Sequence, residues 1–271
     1  MENLRHLRIG CEFEYDAVVD TAAVFQVEPY GGGPASVVRS EWVSSPELSR
    51  HSYLDLYGNS CQRITLPSGV STLTYDAVVS VPDATEKIDL DATETPAGDL
   101  PDDALVYTLP SRYCLPDVLA DEAWKLFADV KPGYGRVKAI CDHVHSSLTF
   151  QYGSSTPLTT AADVHAGGYG VCRDFTHLAI TFCRALSIPA RYVFGYLPEI
   201  EVEPLDSPMD FAAWFEAYLD GHWWTFDPRN NEARKGRVLI GRGRDALDVA
   251  MVTTFGGPTL KRMEVWAHEE A

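Results

Sequence analysis

The strongest structural signal in this chain is an amphipathic helix that directly follows a glycine-rich loop at residues 167–170. The segment from Cys172 to Leu186 carries apolar residues at helical spacing. Phe175, Ala179, Cys183 and Leu186 recur at i, i+4, i+8 and i+11. They therefore lie on one face of the helix. Pro189 follows this helix, and residues 191–197 are predicted to form a strand, so this region has mixed α and β structure.

A β-hairpin is predicted farther along by Asp220-Gly221, which lies between two aromatic-rich segments, 211–219 and 222–226. Asp-Gly is a preferred pair for a two-residue hairpin turn. Such a turn pairs residue 219 with 222 and residue 216 with 225. Because side chains alternate along strands, residue 212 is then predicted to lie diagonally from Asp227 on the same face of the sheet.

The N-terminal region has a different pattern, with short alternating segments and no long helix. Strands are predicted at residues 7–15, 36–43, 61–66 and 71–81, with a turn at 55–59. Several short strands with turn signals between them indicate a β-sandwich. A segment rich in Pro, Asp and Gly, 92–104, follows as a linker, and helices are predicted at 117–128 and 135–147. We therefore predict an α+β protein with a β-sandwich at 1–95 and a core with an antiparallel sheet at 105–271.

Charge and composition limit the classes of partner. Lys and Arg total 22 against 39 Asp and Glu, which gives a net charge of −17. Such acidity disfavours a nucleic-acid partner. No apolar run reaches the roughly 18 residues of a membrane span, so no membrane partner is expected. The oligomeric state stays open.

The N-terminus and the cysteines bear on location and cofactors. The first residues lack the long apolar region of a signal peptide. The six cysteines form no CxxC pair or zinc-type spacing, and we interpret them as reduced thiols of a cytoplasmic protein. No nucleotide-binding glycine loop and no cluster of metal ligands is present, so neither a metal nor another cofactor is expected.

Cys172 is the candidate nucleophile, because it stands in the first turn of the predicted helix. A helix N-terminus favours the thiolate, which is the reactive form, and we expect it to lower the thiol pKa. The free backbone N–H groups there are also suited to hold an oxyanion. Cys114, Cys141 and Cys183 are interpreted as structural thiols.

A nucleophilic cysteine needs a base, and the histidines at 143, 145, 165, 177 and 222 are the candidates. His143, His145 and His177 are interpreted as surface or packing residues. His222 differs from residue 227 by an odd number and so faces the other side of the hairpin. Pattern alone therefore assigns no histidine to Cys172.

Several segments, in this order, resemble the bacterial transglutaminase-like superfamily. They are Gly170-Val-Cys172-Arg-Asp-Phe-Thr-His-Leu, Ile188-Pro-Ala-Arg191-Tyr-Val, Asp210-Phe-Ala212-Ala-Trp214-Phe-Glu-Ala-Tyr and Trp224-Thr-Phe-Asp227. The resemblance extends to an N-terminal domain containing Tyr57-Gly58-Asn59, a junction at Leu109-Pro-Ser-Arg112-Tyr and a tail from Gly241 to Val265. It covers nearly the whole chain.

The resemblance implies a Cys-His-Asp catalytic triad on a papain-like core. Cys172 matches the nucleophile and Asp227 the orienting acid, but Ala212 stands where the family has histidine. We interpret the chain as an inactivated form, either introduced or a natural pseudoenzyme. The retention of Asp227, which has little purpose without its partner, favours an introduced change. Without the imidazole, Asp227 is expected to bond to water or to a neighbour such as Trp214.

The activity implied by the resemblance is hydrolysis of a peptide or carboxamide substrate through a thioester acyl-enzyme. Two alternatives stay open, an amine-accepting transglutaminase or amide ligase and a catalytically dead peptide-binding scaffold. The candidates for the oxyanion site and the cleft wall are Gln151, Tyr152, Tyr169, Gly170 and Trp214.

Overall fold

A computed structural model describes residues 3–203 and 208–270. The strands are β1 Leu4–Ala17, β2 Thr21–Phe25, β3 Ser36–Ser45, β4 Arg50–Leu54, β5 Ser60–Leu66, β6 Gly69–Pro82, β7 Thr149–Phe150, β8 Tyr169–Gly170, β9 Ala190–Tyr196, β10 Ala212–Leu219, β11 His222–Phe226, β12 Val238–Gly243, β13 Val252–Thr254 and β14 Thr259–Glu269. The α-helices are α1 Asp102–Leu105, α2 Ala120–Phe127, α3 Tyr134–Ser147, α4 Ala161–Gly167 and α5 Cys172–Ala185, with short 3-10 turns at Ala97–Asp99 and Val106–Thr108. No helix in the described ranges is long and apolar enough to span a membrane.

Two four-stranded antiparallel sheets form the β-sandwich. Their strand orders are β14-β1-β6-β3 and β13-β2-β5-β4. Alternate residues of β1 point inward, and the rings of Phe13 and Phe25 meet between the sheets with centroids 5.6 Å apart. The expected sandwich is thus present, because period-2 alternation buries one face of each strand.

The second part of the fold packs helices on a four-stranded antiparallel sheet of order β11-β10-β9-β12. Helix α5 is buried along most of its length. It shares one core with Ala213, Phe215 and Ala217 of β10, while the alternate residues Trp214 and Glu216 face the other side of the sheet. The mixed α and β fold with mainly antiparallel sheets agrees with the predicted class.

The hairpin register follows the prediction. Leu219 pairs with His222 and Glu216 with Thr225, and the last pair of the ladder is Phe215 with Phe226. Asp220 and Gly221 have positive φ angles of 49° and 77°, as a type I′ turn requires. The residue after β11 is Asp227, so the turn sets where this carboxylate leaves the sheet.

The end of the chain departs from the predicted division into 1–95 and 105–271. Strand β14 pairs with β1 over Leu7 to Asp16, and β13 pairs with β2. The C-terminal segment therefore completes both sheets of the sandwich instead of adding to the core. The physical reason is that β1 and β2 would otherwise be edge strands with unpaired backbone groups.

The first residues of the predicted linker, 92–104, are hydrogen-bonded to the core. The carbonyl of Ala92 accepts from Tyr134 N–H at 2.9 Å, and Glu94 accepts from Gly133 N–H at 2.9 Å and from Arg136 at 3.2 Å. Residues 96–99 beyond it are exposed. Only this later part has the exposure of a linker.

Asn59 joins the sandwich to the core. Its side-chain amide donates to the Arg242 carbonyl and to Asp55, and its oxygen accepts from Arg242 N–H, at 2.8, 2.9 and 2.8 Å. The residue is fully buried, so no water can replace these bonds. The strand end at Arg242 is thereby fixed to the 55–59 turn.

Replacing Asn59 with alanine is expected to lower the free energy of unfolding by roughly 2–4 kcal/mol, because buried backbone groups lose their partners. Denaturant unfolding measures this change. Asn3→Ala, at an exposed asparagine, is the matched control and should change stability by less than about 0.5 kcal/mol. An Asn59→Ala protein as stable as the control would show that the junction does not depend on these bonds.

Candidate active site

Cys172 is the first residue of α5 and follows a short parallel pair, β7 with β8. The fully buried Asp174 caps the helix, since its carboxylate accepts from Val171 N–H at 2.9 Å. A Cβ at Gly170 would lie only 2.7 Å from the Cβ of Asp174. Glycine at 170 thus allows the close approach that places Cys172 at the helix start.

A cleft of about 180 Å³ opens at Cys172. Its lining includes Phe150, Tyr152, Val171, Cys172, Leu197, Glu199, Pro208, Met209, Asp210, Phe211, Ala212, Ala213, Arg229, Asn230 and Arg234. The Cys172 Sγ lies 3.9 Å from the Phe211 carbonyl oxygen. Cys172 and Ala212 both line this cleft.

The thiol of Cys172 is held in its neutral form, contrary to the expected lowering of its pKa. Burial raises the pKa of Cys172 to about 11, and the carboxylate of Asp210 adds to the rise. Backbone N–H groups of Ala213 and Arg173 favour the thiolate but are outweighed. The expected lowering was wrong because desolvation and a nearby negative charge outweigh the backbone N–H groups at the helix start.

All six cysteines lie in the described ranges and are free, and Cys172 differs from the other five. It is half-buried, whereas Cys11, Cys61, Cys114, Cys141 and Cys183 are buried. Part of Cys172 is therefore exposed at the cleft, although burial of its thiol raises the thiol pKa. The interpretation of Cys114, Cys141 and Cys183 as structural thiols agrees with this burial.

Asp227 is buried and fully bonded. Its Oδ1 accepts from the N–H groups of Arg229 and Asn230 at 3.1 and 3.0 Å. Its Oδ2 accepts from the Asn230 side-chain amide and from Arg237, both at 2.8 Å. Burial acts to raise the pKa of Asp227, but Arg237 and the Asn230 bonds hold that pKa below its ordinary value.

The partners of Asp227 differ from the expected water or Trp214. Trp214 is close but indirect, since the Arg237 guanidinium lies over its ring at 4.9 Å while bonding to Asp227. Arg237 also pairs with Glu86. Asp227 thus closes a turn and neutralises a buried arginine. Asp227 therefore has a structural role without a histidine, and its retention does not favour an introduced change at residue 212.

Of the other residues predicted to form the oxyanion site or the cleft wall, only Tyr152 is among the lining residues of the cleft. Tyr152 lines the cleft, with its ring 5.0 Å from that of Phe150. Gln151, Tyr169 and Gly170 are not among the lining residues. Trp214 lies on the opposite face of the sheet and lines a different cavity. Their proposed oxyanion roles stay predictions, with Tyr152 the best placed of them.

No histidine is among the residues that line the Cys172 cleft in the described ranges. His177 is fully buried between Tyr113 and Tyr192, where its Nε2 accepts from Ala246 N–H at 3.1 Å, and burial lowers its pKa to about 3. His145 contacts the carbonyl oxygen of Arg229 at 3.1 Å. Both have structural roles, as the sequence indicates.

The sequence patterns did not predict the charged residues of the cleft. Arg229, Arg234 and Asp210 line it, and Arg237 bonds to Asp227 behind it. The Asp227-Pro-Arg-Asn230 run is typical of a turn in which Asp accepts backbone N–H groups. That signal identifies Arg229 and Asn230 as partners, whereas nothing local points to Arg237.

Comparison with known proteins places this geometry in a family. The family described as Transglutaminase-like superfamily matches residues 123–228. A solved structure described as a "Putative Cysteine Protease" from Cytophaga hutchinsonii is 30% identical, with a TM-score of 0.90, and the match covers 98% of this chain and 91% of that one.

Mycobacterial relatives add no established activity. The uncharacterized protein ML0607 of Mycobacterium leprae is 33% identical over 117 residues, a match that covers 42% of this chain and 42% of that protein. The uncharacterized protein Rv2569c of Mycobacterium tuberculosis is 29% identical over 269 residues, which covers 88% of this chain and 82% of that protein.

The family match contains Cys172, residue 212 and Asp227, and the Cytophaga structure shares nearly the entire fold. Together with the cysteine at the start of α5, these matches give the chain a core like that of a cysteine protease. The chain belongs to the transglutaminase-like superfamily.

Proposed function

We propose that this fold hydrolyses peptide or carboxamide bonds through a thioester on Cys172 when residue 212 is histidine. The chain with Ala212 is then an inactive form of that enzyme. The observation that carries the proposal is the shared cleft, which Cys172 and residue 212 both line.

The proposed reaction has two halves. An imidazole at 212 takes the Cys172 proton, the sulfur attacks the carbonyl carbon, and the same proton passes to the leaving amine. Water, deprotonated by the imidazole, then attacks the thioester and releases the acid and the thiol. Backbone N–H at the start of α5 is the proposed donor to the oxyanion.

Asp227 is proposed to orient the imidazole. A carboxylate offers about four acceptor sites, and the four contacts from Arg229, Asn230 and Arg237 occupy them. We therefore infer that an imidazole at 212 displaces the neutral side-chain amide of Asn230. The charged Arg237 has the stronger bond and stays.

The same saturation of Asp227 supports a second candidate function, a peptide-binding scaffold. Asp227 already has Arg237 and Asn230 as partners, so it is not left unpaired in the absence of histidine. In that reading the Ala212 protein binds peptides in the cleft and does not cleave them. The six free cysteines also support a reducing location such as the cytoplasm for either function.

The test offers the Ala212→His protein a library of peptide amides together with a primary amine. Mass analysis of the products separates the three readings, and Cys172→Ala in the same background is the control. We expect free acid as the main product. Amide products in excess of acid would assign a transferase, and tight peptide binding without any product would assign the scaffold.

A further inference from the structure

A second cavity lies on the face of the core sheet opposite α5. It has a volume of about 420 Å³, within the range of roughly 300–1,000 Å³ that small-molecule sites occupy. Residues of β10, β11 and β12 form its base, and the exposed residues Ala84, Thr85 and Lys87 border it. The reaction proposed for Cys172 does not use this space.

The charge of the lining is opposite to that of the protein. Four cations, Lys87, Arg234, Arg237 and Arg242, stand against the carboxylates of Glu86 and Glu216, with His222 nearby. The chain as a whole has a net charge of −17. A cavity with excess positive charge in so acidic a protein favours an anion.

Two of these arginines have a side-chain N–H group without a hydrogen-bond partner. Among the described residues, Nε of Arg234 and Nη1 of Arg237 have no hydrogen-bond partner. Their side chains are only 7% and 9% exposed. Both atoms are enclosed by the surrounding protein, so what a ligand in the cavity meets is the positive charge of these guanidinium groups.

The rest of the wall is apolar and aromatic. Trp214, Trp223, Trp224 and Leu239 line the cavity, and the Arg237 guanidinium lies over the Trp214 ring at 4.9 Å. Indole faces beside guanidinium groups suit a ligand with a flat or branched apolar body and one charged end.

We propose that this cavity binds a small organic carboxylate with an apolar body. The body packs on the tryptophans, and the carboxylate lies against the lining cations Lys87, Arg234 and Arg242. The site needs neither Cys172 nor a histidine at 212, so it is complete in the Ala212 protein, although Arg237 also bonds to Asp227 and Arg234 also lines the Cys172 cleft.

The test uses 3-phenylpropionate and its neutral amide as probes of the Ala212 protein, with tryptophan fluorescence and calorimetry as readouts. The acid is expected to bind saturably and at least about tenfold more tightly than the amide, since a charge-assisted bond is lost in the amide. Equal binding of acid and amide, or no saturable binding of the acid, would overturn the proposal.

Charge-removing variants locate the site. Arg234→Gln is expected to weaken binding of the acid about tenfold or more. Arg242→Gln is the second variant, because Glu216 keeps Arg191 as a partner and the fold is less disturbed. Arg262→Gln, on the exposed face of the sandwich, is the control and should bind normally. Unchanged binding in both cavity variants would contradict the assignment.

Discussion

Restoring histidine at position 212 is expected to raise amide turnover by ~10³-fold or more, because the members of a triad act as a unit. The fold should tolerate the change. Residue 212 is half-buried at the mouth of the cleft, so a larger side chain has space in front of Cys172. Steady-state rates of the two proteins on the same substrate measure the effect.

Two controls separate proton transfer from side-chain size. Ala212→Gln fills similar space but cannot act as a base near neutral pH, so it should stay as slow as the alanine form. Cys172→Ala in the histidine background should lose the gain. Equal turnover by the Ala212 protein and the Ala212→His protein would place the base elsewhere.

Replacing Arg237 with methionine is expected to lower the free energy of unfolding by about 3–5 kcal/mol, the usual result of removing one partner from a buried pair. Arg237 is bonded to both Asp227 and Glu86, and its side chain is only 9% exposed. Two carboxylates would be left without their cation. Denaturant unfolding at neutral pH is the measurement.

Arg229→Met is the matched control, because Arg229 lies over the Phe150 ring at 4.3 Å at the partly exposed cleft. It should destabilise by about 1 kcal/mol or less. Adding Glu86→Gln to Arg237→Met should recover part of the loss, since one uncompensated charge is removed. A loss in Arg237→Met no larger than in the control would show that Asp227 does not depend on the ion pair.

The helix and hairpin of the core were predictable because their signals are local. Period-3.6 apolar spacing set α5 at Cys172–Ala185, and Asp220-Gly221 set the register of β10 and β11. Helix α4 was missed although Thr160 and Asp163 form a capping box at its start. That signal is local too, but the helix is too short to show an apolar stripe.

The return of β13 and β14 to the sandwich could not be predicted from the same reasoning. A strand pattern near the C-terminus says nothing about which edge it pairs with, and β1 is distant in sequence. Pairing is decided by the edges left open after the rest of the fold forms. The predicted boundary therefore assigned β13 and β14 to the core, although they pair with strands of the sandwich.

In the candidate site, too, some features follow from the local sequence and others depend on the fold. Cys172 follows from a local pattern at a helix start, but its raised pKa depends on burial and on Asp210, which the fold brings near. Likewise, Asp227 follows directly from the hairpin, whereas its partner Arg237 lies just before β12, the strand at the other edge of the sheet. The helix start and the hairpin are local signals in the sequence, whereas the electrostatic environment of each residue depends on distant parts of the chain.

The most direct measurement of the central claim is the pH dependence of Cys172 alkylation by iodoacetamide, followed by peptide mass mapping. In the Ala212 protein the labelling rate should keep rising toward the thiol pKa of about 11. In Ala212→His the profile should shift to much lower pH, because an imidazolium stabilises the thiolate, while the fully buried Cys183 stays unlabelled in both proteins. Identical profiles for the two proteins would contradict the pairing of Cys172 with residue 212.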